Sequence, residues 1–244
     1  MNGIKNIEGN VISRIYSNNE IKERLQTYTA PYRELMSYYR CAMMEVSTKF
    51  NVLDEELSLQ YDRNPIEAIK TRLKSPESIM DKLSRRGLPF SAESIEQNLN
   101  DIAGVRVICA YISDIYMLRD ALLRQDDIVL LQEKDYIKNP KPNGYRSLHL
   151  IVETPIFLHD QKKQMRVEVQ FRTMAMDWWA SVEHKVRYKK NIPDSEAEQL
   201  AAELSSCADQ IAAMDNKMEE IRRRIAEAEE REAEKQAALK SLEA

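Results

Sequence analysis

Two acidic residues lie beside predicted β-strands, where they could hold a metal ion. Asp101 precedes the run GVRVICAY (104–111), and Glu168 lies on the polar face of MRVEVQF (165–171). Magnesium prefers oxygen ligands and usually takes one or two protein carboxylates together with substrate phosphates. The two acids could therefore bind Mg²⁺ together with a triphosphate. Alternatively, each acid could be a cap or a partner in an ion pair.

Cationic side chains accumulate on one predicted strand and on the helix after it. The run IEAIKTRLK (66–74) alternates, which indicates a strand with Lys70, Arg72 and Lys74 on one face. The following Ser-Pro-Glu-Ser (75–78) supplies an N-cap, a proline at the first helical position and an early acid, so a helix is predicted from there to about Gly87. This unit offers five candidate phosphate ligands, which are Arg72, Lys74, Ser78, Lys82 and Arg85.

Several other ways of building a reactive site find no support in the sequence. The five glycines form neither GxxxxGK[ST] nor GxGxxG, so side chains rather than a glycine-rich loop must hold phosphates. The three histidines form no HxxxH or HExxH motif, which argues against a histidine-built metal hydrolase. No motif indicates a Ser/His or Cys/His nucleophile.

The segment NPKPNGYRSLH (139–149) predicts a turn, because it combines two prolines with Asn-Gly. Tyr145 follows the turn, and two uses remain open for it. It is either a core residue or a platform on which a base stacks.

The elements that must position these residues mix helices and strands. Residues 19–59 are predicted to be helical, with apolar residues at spacings of three and four. Strands are predicted at 66–74, 104–111, 127–132, 145–153 and 165–171, and a further helix at about 175–190. The spacing is not that of regular βαβ units, so we predict an α+β fold with a mixed sheet flanked by helices.

The C-terminal segment is predicted to be a separate helical unit. The length of 244 residues suggests one domain plus an appendage, and we place the boundary between 1–192 and 193–244. A heptad seam of apolar residues needs a partner helix. That partner is either another subunit, which we favour, or the N-terminal helices of the same chain. The seam consists of Leu200, Leu204, Cys207, Ile211, Met214, Met218, Ile221 and Ile225.

The charge is divided unevenly between the two units. Residues 194–244 carry 14 acidic and 7 basic residues, so a chain of net charge −4 has a tail of −7 and a body of +3. This body suits a polyanionic small molecule but is too weakly basic to indicate a DNA-binding protein. No apolar run is long enough to span a membrane and no secretory signal is recognisable, so we expect a cytoplasmic protein.

Four segments in order carry a resemblance to a known family. RLKSPESIMDKLSRRG, NDIAGVRVICAY, KNPKPNGYRSLH and VEVQFRTMAMDWWASVEHKVRYK resemble the synthetase domain of the RelA/SpoT family, and most closely its stand-alone small alarmone synthetases. The resemblance covers about residues 20–190. It implies a nucleotidyltransferase-like fold and transfer of pyrophosphate from ATP to the 3′-hydroxyl of GDP or GTP, giving AMP and (p)ppGpp. The family's histidine and aspartate hydrolase site has no counterpart here, so synthesis without hydrolysis is implied.

The resemblance also assigns roles to individual residues. It implies that Asp101 and Glu168 are the catalytic acids and bind Mg²⁺, with Glu168 near the acceptor ribose as a base or as a group that orients the hydroxyl. ATP is implied to bind Arg72, Lys74, Ser78, Lys82, Arg85 and Arg106, with Arg72 and Arg106 flanking the adenine. The guanine nucleotide is implied to bind Lys138, Lys141, Asn143, Tyr145, His149 and Gln170, with Tyr145 stacked on the base.

Other functions remain open at this point. A protein of the same fold could transfer pyrophosphate to an adenine nucleotide or to the 3′ end of tRNA, or the chain could be a non-catalytic RNA-binding module. The resemblance further implies a homotetramer, with possible regulation by single-stranded RNA or by (p)ppGpp.

Overall fold

The computed structural model describes residues 3–61, 64–187 and 194–242. Within these ranges no helix is long and apolar enough to cross a membrane. The chain forms six helices and five strands there. The helices are α1 (Gly3–Tyr61), α2 (Pro76–Arg85), α3 (Ala92–Asn98), α4 (Ile112–Leu123), α5 (Met174–Arg187) and α6 (Asp194–Leu242). The strands are β1 (Ile66–Leu73), β2 (Ala103–Cys109), β3 (Val129–Asp135), β4 (Leu148–Phe157) and β5 (Lys162–Thr173).

The strands form one mixed sheet in the order β1-β2-β5-β4-β3. Strand β2 runs parallel to β5, and the other neighbouring pairs are antiparallel. The predicted α+β class with a mixed sheet and a C-terminal helix is therefore confirmed. The parallel pair places β2, which follows Asp101, directly beside the strand that carries Glu168.

One face of the sheet is the hydrophobic core, and α1 covers it. On β5, Val167, Val169 and Phe171 are fully buried, because side chains alternate between the faces of a strand. The Phe50 ring of α1 meets the Phe171 ring edge to face, with centroids 5.5 Å apart. The intervening residues of β5 consequently point to the opposite face.

Phe171→Ala is expected to lower the free energy of unfolding by about 3–5 kcal/mol, because it leaves a cavity beneath α1. Phe157→Ala is the matched control, since Phe157 lies on the neighbouring strand β4 and is 69% exposed. We expect the control to cost less than about 1 kcal/mol. Urea denaturation followed by circular dichroism measures both, and equal costs would contradict the burial of Phe171.

Helix α2 begins as predicted. The Ser75 hydroxyl accepts a hydrogen bond from the Ser78 backbone N–H at 3.3 Å, and Pro76 occupies the first helical position. Ile79 and Leu83 are buried, which directs the opposite side of the helix away from the core.

Some boundaries differ from those predicted. Helix α1 begins at Gly3, well before residue 19. Strand β4 begins at Leu148 rather than 145, because backbone hydrogen bonds close the preceding turn. These run from Gly144 N to Lys141 O at 2.8 Å and from Lys141 N to Tyr145 O at 3.1 Å. Strand β1 ends at Leu73, so Lys74 lies just beyond it.

Helix α6 has two faces with different environments. It packs against α4 and α5, and its residues Ala208 and Asp215 are buried. The sequence leaves two partners open for this helix, another subunit or the N-terminal helices of the same chain. Within the chain, α6 packs mainly on α4 and α5 instead of on the N-terminal helices. The second half of the predicted seam is exposed, which includes Met214, Met218, Ile221 and Ile225. The predicted boundary between residues 192 and 193 lies outside the described residues.

Candidate active site

Two rows of mostly polar residues cross the open face of the sheet. The pairing of the strands sets both rows, because residues in register on neighbouring strands point to the same face. The first row is Arg72, Gly104, Glu168, Ile151 and Gln132, from β1 to β3. The second row is Lys70, Arg106, Gln170, His149 and Lys134.

Two cavities lie over this face and share one wall. The first, of about 570 Å³, is lined by Lys70, Thr71, Arg72, Lys74, Asp101, Gly104, Val105, Arg106, Glu168 and Gln170. The second, of about 280 Å³, is lined by Lys82, Arg86, Asn98, Asn100, Asp101, Gln132, Lys134, Tyr136, Lys141, His149, Ile151 and Glu168. Asp101 and Glu168 belong to both linings. The structure therefore brings the two predicted acids together at the junction of two cation-lined cavities.

Asp101 is held by two lysines, one just after β1 and one on α2. Its Oδ2 accepts hydrogen bonds from Lys74 Nζ at 2.9 Å and from Lys82 Nζ, on α2, at 2.7 Å. Burial opposes ionisation of this carboxyl group, but the two lysine bonds outweigh it and hold the pKa of Asp101 below its ordinary value. Its Oδ1 is buried and has no hydrogen-bond partner among the described residues.

Glu168 is also an ionised, hydrogen-bonded carboxylate. His149 Nδ1 lies 3.1 Å from its Oε1, and Gln170 Nε2 donates to its Oε2 at 2.9 Å. Burial raises the pKa of Glu168, and the nearby charge of Asp101 acts in the same direction. The bonds from His149 and Gln170 and the attraction of His149 outweigh both, so this pKa lies below its ordinary value.

A chain of hydrogen bonds leads away from Glu168. A carboxylate only accepts, so Nδ1 of His149 carries a proton and donates to Glu168. The Tyr145 hydroxyl lies 2.9 Å from Nε2 of the same ring and is hydrogen-bonded to it. The same hydroxyl accepts a bond from Arg172 Nη2 at 2.8 Å. The position of Glu168 is thus coupled to Tyr145 through His149.

Asp177, on the first turn of α5, gathers three cations at the side of the first cavity. Its Oδ1 accepts from Arg106 Nη1 at 3.0 Å and from Arg172 Nη1 at 2.9 Å, and its Oδ2 accepts from Lys70 Nζ at 3.0 Å. Burial raises the pKa of Asp177, but the bond from Lys70 and the charges of both arginines hold it below its ordinary value. Asp177 therefore fixes Arg106, which lines the first cavity, in its place.

The predicted site residues divide into those that line a cavity and those that do not. Besides the two acids, the lining residues are Arg72, Lys74, Arg106 and Gln170 in the first cavity, and Lys82, Lys141 and His149 in the second. The residues that line neither cavity are Ser78, Arg85, Lys138, Asn143 and Tyr145.

Each of these five has contacts of another kind. Ser78 lies 3.1 Å from the Ser75 hydroxyl, and exposed Arg85 donates from Nε to the carbonyl oxygen of its own helix one turn earlier. Lys138 has a side chain that is 69% exposed and lies beside Asp135. Asn143 Nδ2 donates to Glu183 Oε1 at 3.1 Å.

Tyr145 lies at the rim of the second cavity rather than in its lining. The Lys141 ammonium group lies 4.7 Å from the centroid of its ring and 4.6 Å from that of Tyr136, which does line the cavity. The two tyrosine rings meet edge to face with centroids 6.1 Å apart.

Sequence reasoning missed several residues of the site. Gln132 and Lys134 lie two residues apart on the site face of β3, but the run VLLQEKD does not alternate apolar and polar residues, so its sequence carries no signal for them. Asp177 is an unremarkable acid in a helical first turn, and only the folded chain shows its three cations. The lining residues Arg86, Asn98 and Asn100 come from loops and helix ends, where no periodicity marks them.

The residues present fit a magnesium ion. The described residues contain no group of three His, Cys, Asp or Glu side chains that could hold a metal by themselves. Magnesium needs fewer protein ligands when substrate phosphates supply the others. Two neighbouring carboxylates and the unpartnered Oδ1 of Asp101 match that requirement.

The sequence matches a known protein family. A family model described as "Region found in RelA / SpoT proteins" matches residues 71–193, which is half of the chain. The chain belongs to this family.

Individual relatives match over nearly their whole length. GTP pyrophosphokinase YwaC of Bacillus subtilis is 41% identical over 201 residues, which are 82% of this chain and 95% of YwaC. The crystal structure of small alarmone synthetase 2 of B. subtilis superposes with a TM-score of 0.70 at 41% identity, covering 79% of this chain and 98% of that one. Small alarmone synthetase 1 of B. subtilis, bound to its product pppGpp, gives a TM-score of 0.72 at 31% identity, with 80% and 98% covered.

Proposed function

We propose that this chain is a (p)ppGpp synthetase of the stringent response, which transfers the β,γ-pyrophosphate of ATP to the 3′-hydroxyl of GDP or GTP and releases AMP. The similarity to YwaC, named a GTP pyrophosphokinase, and to a synthetase bound to pppGpp supports this activity. One observation carries the proposal, which is that Asp101 and Glu168 form the wall shared by two cation-lined cavities. Two nucleotides bound in these cavities would meet at the two acids.

The first cavity suits ATP. Arg72 and Arg106 line it from the neighbouring strands β1 and β2, and planar guanidinium groups stack well on an adenine ring. Lys74 and Lys82 reach Asp101 from either side, so they are placed to contact the triphosphate where it meets that acid. Ser78 and Arg85, which lie on α2 and line neither cavity, are proposed to contact ATP from outside the first cavity.

The second cavity suits the guanine nucleotide. Lys141 lines it, and Lys138 lies in the same loop, so both could contact the acceptor's phosphates. Tyr145 at its rim is proposed to stack on the base, with Asn143 shaping the turn through the bond from Tyr145 N to Asn143 Oδ1. His149 and Gln170 flank Glu168 and would face the ribose.

The reaction forms one bond and breaks another. The 3′-hydroxyl oxygen attacks the β-phosphorus of ATP, the bond from that phosphorus to the oxygen that bridges it to the α-phosphorus breaks, and AMP leaves with the electron pair. Catalysis consists mainly of positioning and charge stabilisation, as in other phosphoryl transfers. Glu168, whose pKa is lowered, is a weak base, so we propose that it mainly orients the hydroxyl and receives its proton late.

Asp101 and Glu168 are the residues that would hold Mg²⁺. The ion, when bound there, would neutralise charge on the triphosphate and on the leaving AMP.

A product assay tests the proposal. The protein is incubated with radiolabelled ATP, Mg²⁺ and either GDP or GTP, and the nucleotides are separated by chromatography. We expect a guanosine 3′-pyrophosphate product and an equal amount of AMP. Parallel reactions with an adenine nucleotide or with tRNA as the acceptor test the same chemistry on the two rival acceptors, and transfer to one of them alone would overturn the proposed substrate. Binding of RNA without any transfer would favour the non-catalytic alternative.

Tyr145→Ala is expected to raise the KM for the guanine nucleotide about 5- to 150-fold, because a stacked base contributes about 1–3 kcal/mol. The KM for ATP should change less than about twofold, since Tyr145 does not line the first cavity. Tyr145→Phe is the matched control, because it keeps the ring and removes only the bonds to His149 and Arg172. Equal losses for both substrates in the alanine variant would remove the stacking role.

The chain is further proposed to form a homo-oligomer, a tetramer by its family resemblance. The exposed apolar side of α6, which includes Met214 and Met218, supports association through that helix. Light scattering in solution measures the particle mass.

Repeating the product assay with added (p)ppGpp and with single-stranded RNA tests both proposed regulators. A cytoplasmic location completes the proposal, because ATP and guanine nucleotides are cytoplasmic metabolites.

A further inference from the structure

Helix α6 touches the turn that leads into β4. Gly144, in this turn, has a φ of +85°, and a methyl group added to it would lie 2.5 Å from the Cβ atom of Ala208. Ala208 is 3% exposed, so its methyl group packs directly against Gly144. The hydrogen bonds between Lys141, Gly144 and Tyr145 hold the turn closed. The position of this turn above the sheet therefore depends on how closely α6 approaches Gly144.

A second buried contact joins α6 to the start of α5. Asp215 accepts a hydrogen bond from the Thr173 hydroxyl at 2.8 Å. The same hydroxyl oxygen accepts the Met176 backbone N–H at 3.1 Å, which makes Thr173 the N-cap of α5. A hydroxyl group has one hydrogen. Because Asp215 accepts that hydrogen, the Thr173 hydroxyl points toward Asp215, and a lone pair on its oxygen accepts the Met176 N–H.

The two contacts converge on Tyr145. Gly144 directly precedes Tyr145 in the chain. Arg172 directly precedes Thr173, and its guanidinium group donates to the Tyr145 hydroxyl. Helix α6 thus supports Tyr145 from the turn on one side and from the junction of β5 and α5 on the other.

We propose that α6 is a positioning element for the acceptor side of the site, in which Ala208 and Asp215 hold Tyr145 and Lys141 in the geometry that binds the guanine nucleotide. This inference rests on the proposed function. Both α6 residues lie beyond residue 193, where the family match ends. The proposed role therefore belongs to a segment outside the matched region. The first cavity has no lining residue from the turn at 139–147, so the contact of α6 with this turn acts on the acceptor rather than on ATP.

A second-site rescue tests the contact at the turn. Gly144→Ala is expected to raise the KM for GDP or GTP at least about tenfold and the KM for ATP less than about twofold, because the new methyl group meets Ala208 and the positive φ strains the residue. Adding Ala208→Gly removes the opposing methyl group and should lower the acceptor KM at least about threefold from that of the single variant. The strain of the positive φ stays, so the rescue is partial. An acceptor KM that the second substitution leaves unchanged would overturn the inference.

A pair of substitutions at Asp215 tests the second contact. Asp215→Ala is expected to raise the acceptor KM at least about fivefold, whereas Asp215→Asn should change it less than about twofold, because the amide oxygen still accepts the Thr173 hydroxyl. Asn216→Ala, at the exposed next position of the same helix, is the matched control and should leave both KM values unchanged. Equal effects of the Ala and Asn variants at Asp215 would contradict the role of the hydrogen bond.

These outcomes are distinguishable from failure of the proposed function. A wild-type chain that forms no product contradicts the function itself. An active wild-type chain whose double variant is not rescued contradicts only the role of α6. Thermal unfolding of each variant identifies any that do not fold, and for the Gly144 variants a lower unfolding temperature without a change in the ratio of the two KM values counts against the inference.

Discussion

Glu168→Gln is expected to reduce formation of (p)ppGpp at least about 1,000-fold while the protein stays folded. The loss of charge removes both the group proposed to orient the acceptor hydroxyl and one proposed metal ligand, and positioned acid–base or charge-stabilising groups each contribute about 10²–10⁴-fold. The amide keeps one oxygen that can accept from His149, so the sheet should tolerate the change. Product formation is measured by chromatography at saturating ATP and GTP.

Glu153→Gln is the matched control for this substitution. Glu153 lies on the neighbouring strand β4, close to Arg166, and lines neither cavity. We expect its turnover to stay within about twofold of the wild-type value. Normal turnover in Glu168→Gln, with the substitution verified by mass spectrometry, would contradict the assigned role of this acid.

Asp101→Asn is expected to reduce synthesis by about 100-fold or more, for a different reason. The asparagine leaves Lys74 and Lys82 without the carboxylate that holds them, and it weakens the proposed Mg²⁺ site. A magnesium titration separates the two effects. If Asp101 binds the ion, the variant should need a higher Mg²⁺ concentration for half of its remaining activity, whereas a role in holding the lysines alone would leave that concentration unchanged.

Asp81→Asn provides the control for Asp101. Asp81 is exposed on α2, next to Lys82 in the chain, and does not line either cavity. Its neutralisation changes the net charge by the same amount, so equal losses in both variants would indicate a general electrostatic effect rather than a site at Asp101.

The faces of the strands could be predicted from the sequence, but their neighbours could not. Alternation along MRVEVQF places Glu168 and Gln170 on a polar face, and the structure confirms that the alternating residues Val167, Val169 and Phe171 are buried. Alternation does not reveal which strand lies beside which, because pairing depends on contacts that are distant in the chain. The rows that join Glu168 to Gln132, and Gln170 to Lys134, are visible only in the sheet.

The turn before β4 shows the same limit. Its Asn-Gly and prolines predict a turn, and the turn is present. The use of the Tyr145 hydroxyl as a link between Arg172 and His149 depends on three elements that meet only in the folded chain. The contact between Gly144 and α6 is equally invisible in the sequence, since 64 positions separate Gly144 from Ala208.

The two rows of site residues constrain how this protein can change during evolution. An inserted or deleted residue within β5 would turn Glu168 toward α1 and Phe171 toward the nucleotides, because strand side chains repeat every two residues. Catalysis and the core would be lost in the same event. New specificities should therefore arise by substitution at the outer ends of the rows, such as Lys70 and Lys134, and by changes of loop length between the strands.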